Sequence, residues 1–154
     1  MPVRIATETH HPLKLTENSR YFKLFMNDVG LLAASCGLMV AKSIVSSHLG
    51  VDYGSIYENA VAQELKCHGC SLHYYRSKEI GELEFVIGRD DGVVLPIEVK
   101  SDKSYKRHAA LDDVLSLPNY KIDYALVLCE DNVRVEGGVI YCPVYCAGLL
   151  AAVL

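Results

Sequence analysis

Between Gly81 and Ser101 two apolar segments flank Gly88-Arg89-Asp90-Asp91-Gly92, and each segment carries charges at alternate positions. That pattern constrains the chain to a β-hairpin, because strand side chains alternate faces and Gly and Asp suit a tight loop. Leu83, Phe85 and Ile87 are predicted to share one face of the first strand, with Glu82, Glu84 and Val86 on the other. On the second strand Val93, Leu95, Ile97 and Val99 share a face, and Pro96, Glu98 and Lys100 take the opposite one. A three-residue loop over Asp90 to Gly92, with Gly92 left-handed, sets Glu84 directly across from Glu98. Their Cβ atoms would then lie about 5 Å apart.

Two ionised carboxylates at that distance repel, and a divalent cation or a shared proton relieves the repulsion. Carboxylate oxygens are hard ligands, and one or two of them with water suit Mg²⁺. Lys100, one pleat beyond Glu98, could orient a water or stabilise charge on phosphorus. This is the outline of metal-assisted phosphodiester hydrolysis. On spacing alone, the commoner outcome of such alternation is a solvated sheet face with cross-strand charge pairs.

At 154 residues and 51% hydrophobic composition, the chain is expected to bury one sizeable core in a single unit. A net charge of -4 and a pI near 5.8 argue against a generally basic nucleic-acid binder. A local cationic cluster remains at Lys100, Lys103, Lys106, Arg107 and His108, equally readable as a solvated loop and helix start. No run approaches the ~20 apolar residues of a membrane span, and the first residues lack a signal-peptide core, so a cytoplasmic protein without a membrane partner is expected. The six cysteines sit in apolar surroundings and read mostly as reduced core residues. A zinc site from Cys67, Cys70, Cys142 and Cys146 is the less favoured alternative, because Gly69 reads as a helix stop between the first two.

Residues 1 to 20 show no period, and Tyr21 to Met26 reads as a strand. Asp28 is placed to cap a helix over Val29 to Ser35, and an apolar helix is predicted from Leu38 to Leu49, ended by Gly50. Asp52 opens the clearest helix, with Ile56, Tyr57, Ala60, Val61 and Leu65 as its apolar stripe and Glu58 interrupting it. Strands are predicted at Ser71 to Arg76, Glu82 to Ile87 and Val93 to Ser101. A helix follows from Lys106 to Leu117, with Ala109, Leu111, Val114 and Leu115 inward, and then strands at Tyr124 to Cys129 and Val139 to Cys142. Gly137-Gly138 marks a turn, and an apolar tail runs from Ala147 to Leu154.

A glutamate on the helix, an acidic residue on the next strand pair and Glu98-x-Lys100 in Pro96 to Ser101 occur here in the order helix, three strands, helix, strand. This order resembles the PD-(D/E)XK nuclease superfamily. More narrowly, the segments Tyr21 to Leu32, Gly54 to Leu65, Tyr74 to Arg76, Glu82 to Ile87 and Pro96 to Ser101 are similar to a C-terminal domain (domain of unknown function 4143) of a prokaryotic AAA-type ATPase family. The resemblance implies an α/β fold with a restriction-endonuclease-like core, a mixed central sheet flanked by helices. It implies a domain over residues 21 to 154, with residues 1 to 20 an N-terminal extension or the remnant of a preceding domain.

Carried over to this chain, the resemblance makes Glu58 the helix carboxylate, Glu84 and Glu98 the metal-facing pair and Lys100 the catalytic lysine. Glu58, Glu84 and Glu98 would hold Mg²⁺ or Mn²⁺, and nucleic acid would be the substrate. Aspartate is usual in the family where Glu84 stands, and the added methylene alters a tight Mg²⁺ site. The resemblance is therefore equally met by a degenerate nucleic-acid-binding, protein-binding or oligomerisation module associated with an ATPase. No Gly-x-x-x-x-Gly-Lys-[Ser/Thr] occurs, so no ATP site is expected in these residues. The histidines lack a nucleophile at recognisable spacing, and the tyrosines read as packing residues.

Overall fold

The computed structural model describes residues 1–9, 11–46, 53–101, 105–118 and 122–150. The hairpin forms as the residues dictate. Its first strand spans Gly81–Gly88 and its second Val94–Val99, paired antiparallel from Gly88↔Val94 to Phe85↔Ile97. Beyond the pairing, the Arg89 amide donates to the Val93 carbonyl at 2.9 Å and the Gly92 amide to the Arg89 carbonyl at 3.0 Å. Gly92 has φ +80°, so Asp90 to Gly92 is the expected three-residue loop with a left-handed third position.

Numbered along the chain, the strands are β1 (Pro2–Ala6), β2 (Glu17–Leu24), β3 (Leu72–Ser77), β4 (Gly81–Gly88) and β5 (Val94–Val99), then β6 (Ala125–Cys129), β7 (Arg134–Glu136) and β8 (Val139–Pro143). The helices are α1 (Val29–Ser35), α2 (Leu38–Val45), α3 (Gly54–Cys67), α4 (Ala109–Ser116) and α5 (Ala147–Leu150), with a 3₁₀ turn at Leu13–Thr16 and another at Val144–Cys146. One mixed sheet runs β2-β1-β3-β4-β5-β6-β8-β7. Neighbours β1 and β3, β5 and β6, and β6 and β8 are parallel, and the remaining pairs are antiparallel. The fold is thus the expected mixed sheet flanked by helices.

Each face of the sheet has its own core. Val61, Ala62 and Leu65 of α3 pack with Phe85, Ile87, Leu95, Ile97 and Leu128 on one side. Leu111 and Val114 of α4 pack with Leu83, Val86, Val94 and Val127 on the other. Leu83 and Phe85 therefore lie on opposite sides, against the expectation that they share a face. The cause is a bulge in β4: His73 pairs with Val86 but Tyr75 with Leu83, so two steps on β3 span three on β4. The extra residue falls at Glu84 and Phe85, so the bulge re-aims the Glu84 side chain.

Two further corrections concern strands. Residues 2 to 6 form β1, which lies between β2 and β3, and β2 begins at Glu17 rather than Tyr21. Their apolar alternation is weak because β2 is an edge strand with Tyr21, Phe22 and Leu24 exposed. The short edge strand β7 was also not anticipated, since Val133 and Val135 are exposed and no period marks it. Helix ends followed their signals more closely. Asp28 caps α1 through a 2.8 Å bond from the Leu31 amide, and Gly69, at φ +87°, ends α3. The predicted helix stop at Gly50 and helix start at Asp52 lie outside the described residues.

The stripe on α3 is Asn59, Val61, Ala62 and Leu65, with Ile56 and Ala60 only half-buried. In α4 Ala109 is exposed and only Leu111 and Val114 are buried. Cys129 and Cys142 are core residues as expected, but Cys36 and Cys67 are exposed, and all six thiols are free.

Candidate carboxylate and lysine site

Continued by one pair, the hairpin register sets Glu84 opposite Glu98. The ladder does not reach the Val99 amide, which instead donates to Glu84 Oε2. Glu84 is thereby fastened to the strand that carries Glu98 and Lys100. At the end of β5 the Lys100 amide donates to the Leu128 carbonyl at 2.8 Å, holding this corner of the sheet against β6.

Helix α3 brings Glu58 to the same place. Its neighbour Asn59 is buried and clasps the Met26 backbone, accepting from the amide at 2.8 Å and donating to the carbonyl at 3.2 Å. Gln63 accepts from the Val29 amide at 2.8 Å. These bonds draw the end of β2 onto α3, so that Lys23 of β2 stands 2.5 Å from Glu82 Oε1 and 3.7 Å from Glu58 Oε2. Tyr57, adjacent to Glu58, donates at 2.6 Å to Glu130 just past β6. Burial and the Glu130 carboxylate push the Tyr57 hydroxyl up to about 12.

Of the expected residues, Glu84, Glu98 and Lys100 come together and Glu58 is close enough to feel both carboxylates electrostatically. Lys23 and Glu82 had been given no role. A lysine inside the apolar run Tyr21 to Met26 was the available signal for Lys23. The expected solvated cluster after β5 is corrected at its end, where His108 is buried and its Nε2 meets the Tyr141 hydroxyl at 2.7 Å.

Glu58, Glu82, Glu84 and Glu98 meet Lys23, Lys100 and, at 3.9 Å from Glu82, Arg76, so carboxylates outnumber cations among the described residues of the site. The Glu84 carboxyl absorbs the excess. Burial, then the Glu98 and Glu58 carboxylates, push its pKa up to about 8, against the opposing pull of the Val99 amide and Lys100. With Oε2 accepting from Val99, Oε1 is the oxygen left to take up a proton. Burial also raises Glu58, partly offset by Lys23. For Lys23, burial would lower the pKa, but Glu82, Glu58 and Glu84 together raise it.

Glu98 Oε1 lies 2.6 Å from Lys100 Nζ, whereas its Oε2 is buried with no hydrogen-bond partner among the described residues. An ionised oxygen in that position fits a hard cation. Among the described residues no three His, Cys, Asp or Glu side chains form a group that could hold a metal ion by themselves. Mg²⁺ does not require one, since it is commonly held by one or two carboxylates with the remaining positions filled by water. Binding at Glu84 and Glu98 would displace the Glu84 proton. Mn²⁺ affinity is therefore expected to rise about tenfold per pH unit below 8 and to level off above it, as measured by titration calorimetry. Glu98→Ala should abolish the binding, and affinity unchanged between pH 6 and 8 would rule out this coupling.

A family model described as a domain of unknown function, DUF4143, matches residues 53–147. The match takes in Glu58, Glu82, Glu84, Glu98 and Lys100, and leaves Lys23 outside it. No curated protein and no solved structure matches the chain.

Proposed function

The chain belongs to the DUF4143 family, a domain of unknown function, and we propose that it is a PD-(D/E)XK-type, nuclease-like domain hydrolysing nucleic-acid phosphodiesters with Mg²⁺ or Mn²⁺. The observation that carries this reading is Glu98, buried at 6% exposure, with one oxygen on Lys100 and the other without a hydrogen-bond partner among the described residues. The arrangement α3-β3-β4-β5-α4-β6 around these residues supports it.

A divalent ion bound by Glu84 and Glu98 would polarise a phosphoryl oxygen and acidify a water. The chain's own groups have separable tasks. Lys100, held by Glu98, directs N–H donors at the oxygen on which charge develops. Glu84 would give up its proton to the ion, and its bond from the Val99 amide ties the two strands together. Lys23 spans Glu58 and Glu82 and fixes the spacing between helix and sheet.

The test is cleavage of single- and double-stranded DNA and of RNA with Mn²⁺, with EDTA as the control. Lys100→Ala and Glu98→Gln are each expected to lower the rate at least ~100-fold, the scale of one lost electrostatic stabiliser. Absence of metal-dependent cleavage of every substrate overturns the reading.

A second reading is a non-catalytic module that binds nucleic acid or protein, or mediates oligomerisation, alongside an ATPase. It is favoured by the exposed Leu31, Leu38, Met39 and Val45 on α1 and α2. It predicts that partner binding survives Glu98→Gln. Among the described residues no helix is long and apolar enough to cross a membrane, and a cytoplasmic location belongs to either reading.

A further inference from the structure

We propose that the cavity between the 3₁₀ turn at Leu13–Thr16, the start of β3 and the end of β4 is a binding site for a phosphate-bearing anion. Its volume is about 400 Å³, and Arg4, His11, Lys14, Glu17, Lys66 and His73 supply its polar lining. It is separate from the carboxylate site. Gly88, which lines it, lies four residues along β4 from Glu84, about 13 Å at ~3.3 Å per residue.

Charge identifies the class of ligand. Arg4, Lys14 and Lys66 outnumber Glu17 in this wall, in a chain whose net charge is -4. The cationic surplus is therefore concentrated here, and a dianion matches it. Glu17 offsets one of these charges, being bound to Arg4 Nη1 at 3.3 Å and to His73 Nε2 at 2.8 Å, and leaves Lys14 and Lys66 as the surplus. The His73 bond, ahead of Arg4, holds the Glu17 carboxyl below its usual range despite some burial. An ionised carboxylate only accepts, so His73 Nε2 carries the hydrogen.

That assignment leaves His73 Nδ1, which is buried and has no hydrogen-bond partner among the described residues. His73 is itself only 5% exposed. Its bond to Glu17 fixes the imidazole in the cavity wall, next to the lysines that would meet a phosphate oxygen. The opposite wall is formed closely. A Cβ on Gly88 would meet His11 Cδ2 at 2.9 Å, so only glycine lets the His11 ring lie against β4. Pro2, Leu13 and Leu72 add an apolar side. The cavity is larger than inorganic phosphate needs and lies within the range of small-molecule sites, which gives an organic phosphate of nucleotide or sugar size room to place its carbon skeleton there.

The experiment is calorimetric titration of the full chain with inorganic phosphate and with adenosine monophosphate, against chloride at equal ionic strength. Saturable binding of both is expected. Binding about tenfold tighter for the monophosphate ester identifies an organic phosphate as the ligand, and equal affinities identify free phosphate. The doubly substituted Lys14→Glu, Lys66→Glu protein, altered only at exposed positions, should bind at least ~10-fold more weakly. His73→Gln, which retains a donor for Glu17, should weaken binding severalfold. Glu98→Gln should leave it unchanged, separating this site from phosphate drawn to the carboxylates. No saturable binding up to 10 mM, or affinity indifferent to Lys14→Glu, Lys66→Glu, overturns the proposal.

Discussion

Glu84→Gln is expected to raise the melting temperature at pH 9, in EDTA, by about 5–10 °C, while leaving it nearly unchanged at pH 5. The folded-state pKa of Glu84 is about 8 against an ordinary 4.5, with burial the largest cause. Between those values the native protein binds a proton that the unfolded chain releases, so stability falls as pH rises through the interval. The full shift would correspond to several kcal/mol at ~1.4 kcal/mol per unit. Sharing of the charge among Glu58, Glu84 and Glu98 reduces this to about 2–3 kcal/mol at pH 9.

Glutamine leaves an oxygen for the Val99 amide and removes the titration, so the substituted protein should lack the alkaline decline. Divalent ions are expected to reverse the ranking. They would stabilise the natural protein at pH 8 and above, where the deprotonated Glu84 can bind them, and leave Glu84→Gln less affected. Scanning calorimetry from pH 5 to 9 measures both effects. Parallel curves for the two proteins would show that Glu84 titrates normally.

Phe85→Ala should cost about 3–5 kcal/mol of folding free energy. Phe85 is fully buried on the α3 side of the sheet, with its ring 5.6 Å from that of Phe25 and tilted by 40°. Removing it leaves a cavity at the bulge, between α3 and the strand carrying Glu84, where collapse would shift the site as well as the core. Urea unfolding should show a lower midpoint at nearly unchanged slope. Phe22→Ala is the comparison, because Phe22 is 55% exposed on edge strand β2, and its loss should fall within about 0.5 kcal/mol. A cost below ~1 kcal/mol for Phe85→Ala would place that ring outside the load of the core.

The hairpin was the most legible part of the chain, for a local reason. Gly92 and the two aspartates specify the loop, the loop specifies the register, and the register sets Glu84 across from Glu98. The Asp28 cap and the Gly69 stop are similarly short-range. The bulge was not legible, because alternation in Glu82 to Ile87 continues unbroken in sequence and only pairing with β3 interrupts it. Nor was β1, whose place between β2 and β3 depends on a parallel contact with residues some seventy positions away. The buried His108 also looked like one more charge in a basic loop until Tyr141 of β8 closed over it.

By itself, the sequence determined a mixed helix and strand composition, the hairpin register and a pair of facing carboxylates with a lysine beside them, all through interactions between residues near one another in the chain. Tertiary structure decided the electrostatic state of that pair. Helix α3 delivers Glu58, β2 delivers Lys23, and burial between the two layers raises Glu84 to about 8. The solvation of a charge depends on everything packed around it, and no local pattern records that.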